Sequence, residues 1–421
     1  MPTLAEKFIS DNGAGVHDRI KVVRNSITYE GLLLPKHSFS SDEIIVLKLD
    51  NGYNIGISVE NAELTVLSKS KKEKVEISKK NPKSGLPNIS IMGTGGTIAS
   101  FIDYKTGAVS PAITAEQLVN SVSALDEIAN VEAEPLFSLA SEDMEPKHWE
   151  GMAKKSKEIH DKKGHGIVVG HGTDTMGYSA AALSFQLPEI SNPVVFTGAQ
   201  RSPDRPSSDA HLNLVGAAKV AMTDLGEIAI AMHETTNDEN VAIWRGTRVR
   251  KAHSSKRNAF VSPNEGPLGI VRENVEMNNK YRSLTDETKL EAGFEDKIAL
   301  VWSHPALKAE DWENMTSAKK GAVIAGTGLG HIKSELLDVI GKTAKDIPVA
   351  ITTQCLGGST NLNVYRNGRE LIGKGAVEAY DMLPETALVK MMWLSKHRAD
   401  KVSELMGENL VGEISNSRKL D

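Results

Sequence analysis

Asn88-Ile-Ser-Ile-Met-Gly-Thr-Gly-Gly-Thr-Ile-Ala99 reads as a buried strand that runs straight into a glycine turn, and the fold follows from it. The pattern recurs downstream. Gly166-Ile-Val-Val-Gly170 opens into His171-Gly-Thr-Asp-Thr175, and Pro193-Val-Val-Phe-Thr-Gly198 into Ala199-Gln-Arg201. Leu225-Gly-Glu-Ile-Ala-Ile-Ala-Met232 is a fourth apolar strand. A helix is expected to open at Thr114, as N-cap, with Gln117 at the capping-box position. Continuous apolar strands separated by helical stretches indicate a parallel sheet covered on both faces. A polar break from Asn278 to Glu295 interrupts the pattern. It restarts at Lys297-Ile-Ala-Leu-Val-Trp302, Ala322-Val-Ile-Ala-Gly326 and Pro348-Val-Ala-Ile-Thr352, which form a second α/β unit.

Upstream of Leu86 the texture differs. Arg19-Ile-Lys-Val-Val-Arg24, Ser26 to Leu34, Glu43 to Leu49 and Asn54 to Val59 are short β-branched runs without helices between them. Asp50-Asn-Gly52 is a hairpin turn signal. This is the signature of a small antiparallel sheet or barrel. Lys71, Lys72, Lys74, Lys79 and Lys80 then mark a solvated linker between Lys69 and Lys83, which could also contact RNA. The expected fold is α/β: a small N-terminal β-barrel-like domain with its linker (residues 1–84), then parallel-sheet domains at 85–285 and 296–421.

Bulk properties narrow the function classes. A chain of 421 residues with net charge -6 carries no overall electrostatic footprint for nucleic acid. Any RNA contact must come from a local patch or a partner. Cys355 is the only cysteine, so an internal disulfide is excluded and a reducing cytoplasm is expected. No apolar run approaches the ~20 residues that span a bilayer, so no membrane role is expected.

In an open parallel sheet, ligands bind beyond the carboxyl ends of the strands. Three loops rich in glycine and hydroxyls would meet there: Thr94 to Ser100, His171 to Thr175 and Gly198 to Arg201. Glycines bring backbone N–H groups close to a developing oxyanion, and Thr97 is a candidate nucleophile. A threonine hydroxyl is weak without a base, and His171 is only one neighbour among 12 histidines. The turn lacks the glycine patterns of nucleotide-binding loops.

The stretches Asn88 to Ala99 and Gly170-His-Gly-Thr-Asp-Thr-Met176 resemble the two signatures of the bacterial-type L-asparaginase/glutaminase family. Leu139-Ala-Ser-Glu-Asp-Met144 and Gly266-Pro-Leu-Gly269 extend the resemblance. It implies an α/β N-domain holding the active site, a smaller α/β C-domain, and no metal or organic cofactor in the chain. Thr97 corresponds to the threonine that forms the acyl-enzyme, and Thr173 and Asp174 to the second threonine and its acidic neighbour. Lys251 matches the family's lysine, counted back from Gly266, although Arg248, Arg250 and Lys256 crowd the segment. Ser141 and Glu142 match the pair that holds the substrate's α-amino and α-carboxyl groups; Gly96 and Ala199 are further expected contacts. Lys251 would exchange a proton with Thr173, and N–H groups near Gly96 and Thr173 are oxyanion-hole candidates. Which threonine attacks first is left open at this level. One departure stands out. The family's loop tyrosine is replaced at the matching position by Ala108, with Tyr104 four residues out of register.

The β-rich segment ahead of the first signature resembles the D-subunit family of archaeal glutamyl-tRNA(Gln) amidotransferases. The resemblance implies a glutaminase that supplies ammonia for converting Glu-tRNA(Gln) to Gln-tRNA(Gln). An E-subunit partner would use ATP and magnesium and make most of the tRNA contact. A homodimer of this chain within the larger assembly is also implied, with Gly326-Thr-Gly-Leu-Gly-His331 either completing a neighbour's site or forming a plain turn. The alternative is a stand-alone asparaginase or glutaminase with an accessory β domain.

Overall fold

Alternating burial builds the first sheet. In β1 (Arg19–Arg24) Ile20 and Val22 are buried while their neighbours are half-exposed. In the computed structural model, which describes residues 3–35, 41–49, 54–69, 82–96, 100–102, 109–111, 122, 124–202 and 207–415, β1 is flanked by β2 (Ile27–Leu34) and β5 (Ala62–Ser68). β3 (Ile44–Leu49) and β4 (Asn54–Ser58) complete an antiparallel sheet of order β4-β3-β2-β1-β5. α1 (Leu4–Asp11) starts at a capping box of Thr3 and Glu6 and lays Ala5 on the core of Ile20, Val22, Leu33, Ile45 and Leu47. The sequence reading missed α1 and β5. In β5 Leu64 alone is fully buried, so its alternation is faint beside the lysine-rich stretch.

The Asp50-Asn-Gly52 turn, the linker lysines Lys71, Lys72, Lys74, Lys79 and Lys80, the helix at Thr114, and Thr97, Tyr104 and Ala108 all lie outside the described residues.

The central sheet has eight strands. β6 (Asn88–Gly95) lies between β9 (Asn130–Leu139) and β10 (Gly166–Gly170), and β11 (Val194–Thr197) and β12 (Ile228–His233) follow, all parallel. The expected parallel array is thus present. It continues in three antiparallel strands that the sequence reading did not include: β13 (Val241–Arg245), β16 (Gly269–Val271) and β17 (Val275–Met277). Two small hairpins stand apart, β7 (Ser100–Ile102) with β8 (Val109–Pro111), and β14 (Arg250–Lys251) with β15 (Phe260–Val261). After the short α2 (Leu125–Ile128), α3 (Pro146–Lys163) and α4 (Met176–Gln186) cover one face and α5 (Ala210–Val220) the other. Strand burial on both faces explains the continuous apolar runs.

The second α/β unit is a four-stranded parallel sheet of β18 (Ile298–Trp302), β19 (Gly321–Gly326), β20 (Val349–Thr353) and β21 (Val377–Glu378). α6 (Ala309–Thr316), α7 (Leu337–Asp346) and α8 (Arg366–Gly373) pack one side. α9 (Pro384–His397), followed by α10 (Val402–Leu405), packs the other and also meets α4, so Met391, Trp393, Phe185 and Ile167 share one core. The polar stretch between the units is strapped to the first: Thr285, Lys289 and Glu291 donate backbone bonds to Ile190, Glu189 and Gln186. Among the described residues no helix is long and apolar enough to cross a membrane.

His160, in the last turn of α3, meets the Thr288 hydroxyl of this strap at 2.7 Å. Burial pulls its pKa down to about 4. An unfolded chain binds the proton near pH 6.5, so the native state loses stability as pH falls from about 6.5 to about 4 and is undiminished above that window. The urea midpoint of the wild-type chain should therefore fall more steeply across this range than that of His160→Gln. Equal slopes would contradict a buried neutral imidazole.

Candidate active site

The five parallel strands all end on one edge. β6 comes first in sequence, and the chain then places β9 on one side of it and β10 on the other. Loops after β6 and β10 diverge at such a switch point and leave a crevice. Here glycines bring those loops into backbone contact. A Cβ on Gly96, whose φ is +79°, would lie 2.3 Å from the Gly172 nitrogen. A Cβ on Gly172 would lie 2.6 Å from that of Ser141, on the 3-10 turn after β9. Thr94 Oγ1 donates to the Gly170 carbonyl at 2.9 Å, Gly96 N to Leu139 O at 3.1 Å, and Thr175 Oγ1 to Ser141 O at 2.6 Å. Three strand ends are thereby tied into one surface, and in sequence Thr97 follows Gly96 at this junction.

The hairpin of β14 and β15 brings a cation onto that surface. Lys251 Nζ donates to Thr173 Oγ1 at 2.9 Å and to Asp174 Oδ1 at 2.6 Å. The Lys251 side chain is 12% exposed and that of Asp174 67%, so the carboxylate retains a solvent-facing oxygen while the amine is enclosed. Thr173 is buried beneath them. The competing arginines are engaged elsewhere. Arg248 is buried and binds the Glu413 carbonyl, Asp381 and Ser415. It holds the Asp381 carboxyl below the usual range, against the upward push of burial. Arg250 faces the opposite side of the strand, 2.8 Å from Glu385 and over the Trp302 ring. Lys256 lies exposed in the hairpin loop.

His171 does not bond to the Thr173 hydroxyl, which Lys251 holds. It is fully buried and neutral, its pKa pulled down to about 4 by burial, with Nδ1 at 2.6 Å from the Gly172 carbonyl and Nε2 at 2.9 Å from Ser179 Oγ. Of the expected substrate contacts, Ser141 is buried against Gly172, Gly96 is at the loop junction, and Glu142 is exposed on the turn. Ala199 is buried, its methyl group packed in the core beneath α5, so a contact with a ligand falls to its backbone. Sequence reasoning missed the support of the Gly198 loop. Buried Asp209 accepts from Gln200 N, Arg201 N and Asn213 Nδ2, and Asn213 also donates to Gly198 O. Among the described residues no three His, Cys, Asp or Glu side chains converge as a metal site.

Comparison with known proteins agrees with this layout. Residues 88–283 match the family described as Asparaginase, N-terminal, and residues 297–406 the Glutaminase/Asparaginase C-terminal domain. Residues 14–67 match the GatD N-terminal domain. The glutamyl-tRNA(Gln) amidotransferase D subunit of Pyrococcus furiosus is 43% identical over 97% of this chain and 97% of its own length. The chain belongs to the D-subunit family of glutamyl-tRNA(Gln) amidotransferases. The D subunit of Saccharolobus solfataricus is similar, at 44% identity over 96% of this chain and 94% of the relative. Among solved structures, the thermostable L-asparaginase from Thermococcus kodakarensis is 32% identical with a TM-score of 0.72, covering 78% of this chain and 100% of that one. L-asparaginase I from Vibrio cholerae aligns at 28% identity and TM-score 0.69, covering 78% and 99%. The D-subunit relatives span the N-terminal β domain as well; the asparaginases are matched whole while leaving about a fifth of this chain uncovered.

Proposed function

We propose that this chain is the glutaminase component of a tRNA-dependent amidotransferase, releasing ammonia from glutamine through a threonine ester. The observation that carries the reading is Lys251 bridging Thr173 and Asp174 at the strand edge that Gly96, next in sequence to Thr97, also reaches, in a chain whose relatives are D subunits along their whole length. Thr97 Oγ attacks the side-chain amide carbon, the C–N bond breaks, and ammonia leaves an acyl-Thr97 ester that water converts to glutamate. The proton lost by the attacking hydroxyl passes through Thr173 Oγ toward Lys251 and returns to the leaving nitrogen. Asp174, with its free oxygen, orients the amine and meets the substrate's ammonium. Ser141 and Glu142 hold the α-groups, and the Thr173 N–H faces the oxyanion, the Gly96 N–H being engaged by the Leu139 carbonyl.

In this reading ATP and magnesium chemistry and most of the contact with Glu-tRNA(Gln) belong to an E-subunit partner, and this chain needs no cofactor. Two copies pair through the carboxyl edge of the second sheet, where Trp302, Leu329, Leu356, Val364 and Tyr365 are exposed. The Gly326–His331 stretch is closed by its own bonds between Thr327 and His331, and so presents Leu329 as a rigid turn. The test is ammonia release from glutamine with and without the partner and Glu-tRNA(Gln). Release should rise when both are added and vanish in Thr97→Ala. Strong release by the chain alone, indifferent to partner and tRNA, would favour a stand-alone hydrolase.

A further inference from the structure

Trp149, Ser179, His171 and the Gly172 carbonyl form one buried line of hydrogen bonds, and its two ends fix its direction. An indole N–H only donates and a carbonyl only accepts. His171 Nδ1, 2.6 Å from the Gly172 oxygen, therefore carries the ring proton. In the neutral ring Nε2 is an acceptor, and it takes the Ser179 hydroxyl proton at 2.9 Å. Ser179 Oγ in turn accepts from Trp149 Nε1 at 2.9 Å. Every bond in the line points toward Gly172.

The peptide at the end of the line joins Gly172 to Thr173. Its oxygen is held by His171, and its N–H donates no hydrogen bond among the described residues. A bond accepted at a carbonyl polarises the whole peptide and strengthens its N–H as a donor, and chained bonds reinforce one another. We propose that His171 is a positioning residue of the oxyanion hole: through the Gly172 carbonyl, the Trp149–Ser179–His171 line orients and polarises the Thr173 N–H for the oxygen of the scissile amide. The proposal rests on the amide-hydrolysis reading above. It goes beyond packing, for which the edge-on contact of His171 with Phe196 would suffice.

Three variants separate the two roles, each measured in the complex with its partner. His171→Asn keeps an N–H where Nδ1 stands, His171→Gln moves it to the far end of the side chain, and Ser179→Ala removes the donor to Nε2. His171→Gln should lower kcat ~10-fold or more with KM for glutamine nearly unchanged, because an oxyanion-hole donor acts mainly on the transition state. His171→Asn should restore most of that loss, and Ser179→Ala should fall between them. Equal losses in the Asn and Gln variants, or a loss confined to KM, would overturn the proposal. A second readout is independent of turnover. In protein labelled with 15N-threonine, with Thr173→Ser used for assignment, the Thr173 amide nitrogen should shift in His171→Gln and return in His171→Asn. An unmoved resonance overturns the proposal whatever the kinetics show. A resonance that moves as expected in a complex that hydrolyses no amide upholds the line and overturns the reading of the reaction instead.

Discussion

Lys251→Met is expected to lower kcat for glutamine hydrolysis by about 10³-fold in the complete complex, with the fold intact, because it removes the group that exchanges a proton with Thr173. The choice of residue follows from the geometry. Methionine keeps the length of the stem that lies along the hairpin but cannot donate to Thr173 Oγ1 or Asp174 Oδ1. Asp174 is 67% exposed, so losing its cation leaves a solvated carboxylate rather than a buried orphan charge. Little stability should therefore be lost. Steady-state ammonia release and a urea titration check both halves together. Activity within a few-fold of wild type would remove Lys251 from the proton path, and a collapse of the midpoint would assign it a structural role.

The largest stability effect should come from a different lysine. Lys390 lies on α9 with its side chain at 0% exposure, 2.6 Å from Glu413, which is also at 0%. Lys390 further donates to the carbonyls of Met406 and Glu408, while Glu413 accepts from Leu410 N and Val411 N. Burial pulls the pKa of Lys390 below its usual value, and Glu413 pulls it back up. Lys390→Met leaves the carboxylate buried without its cation, which costs about 3–5 kcal/mol. The urea midpoint should drop accordingly. Adding Glu413→Gln should recover a large part, since the amide carries no charge and its oxygen can still accept from the backbone. A double variant no more stable than the single one would show that the pair is not the source of the loss.

The strand ends were legible because their chemistry is local. Gly96 and Gly172 stand where one backbone touches another, and no other residue fits such an approach, so the sequence marks the junction directly. Lys251 was harder. Arg248, Arg250 and Lys256 are equivalent to it in composition and spacing, and only a partner 78 residues away in sequence separates them. Counting from Gly266 identified the lysine through the family resemblance; folding explains why the arginines cannot take its place. β9 was not legible, because it is an edge strand, half-buried or exposed along its whole length and containing Pro135, and so offers no clean period. Ala199 and His171 show a further limit. Both stand in loops marked as functional, yet one methyl group belongs to the core and one ring acts from behind the backbone.

The core common to α4 and α9 has a consequence for heredity. Phe185 from one half and Trp393 from the other stack with ring centroids 5.9 Å apart, and Met391 lies in the same interior. Exchanging either half with a distant homologue would change one wall of a close-packed interior and not the other, and such overpacked or hollowed interiors typically cost about 1–5 kcal/mol. The two halves must therefore accumulate substitutions in concert and pass through recombination as one block.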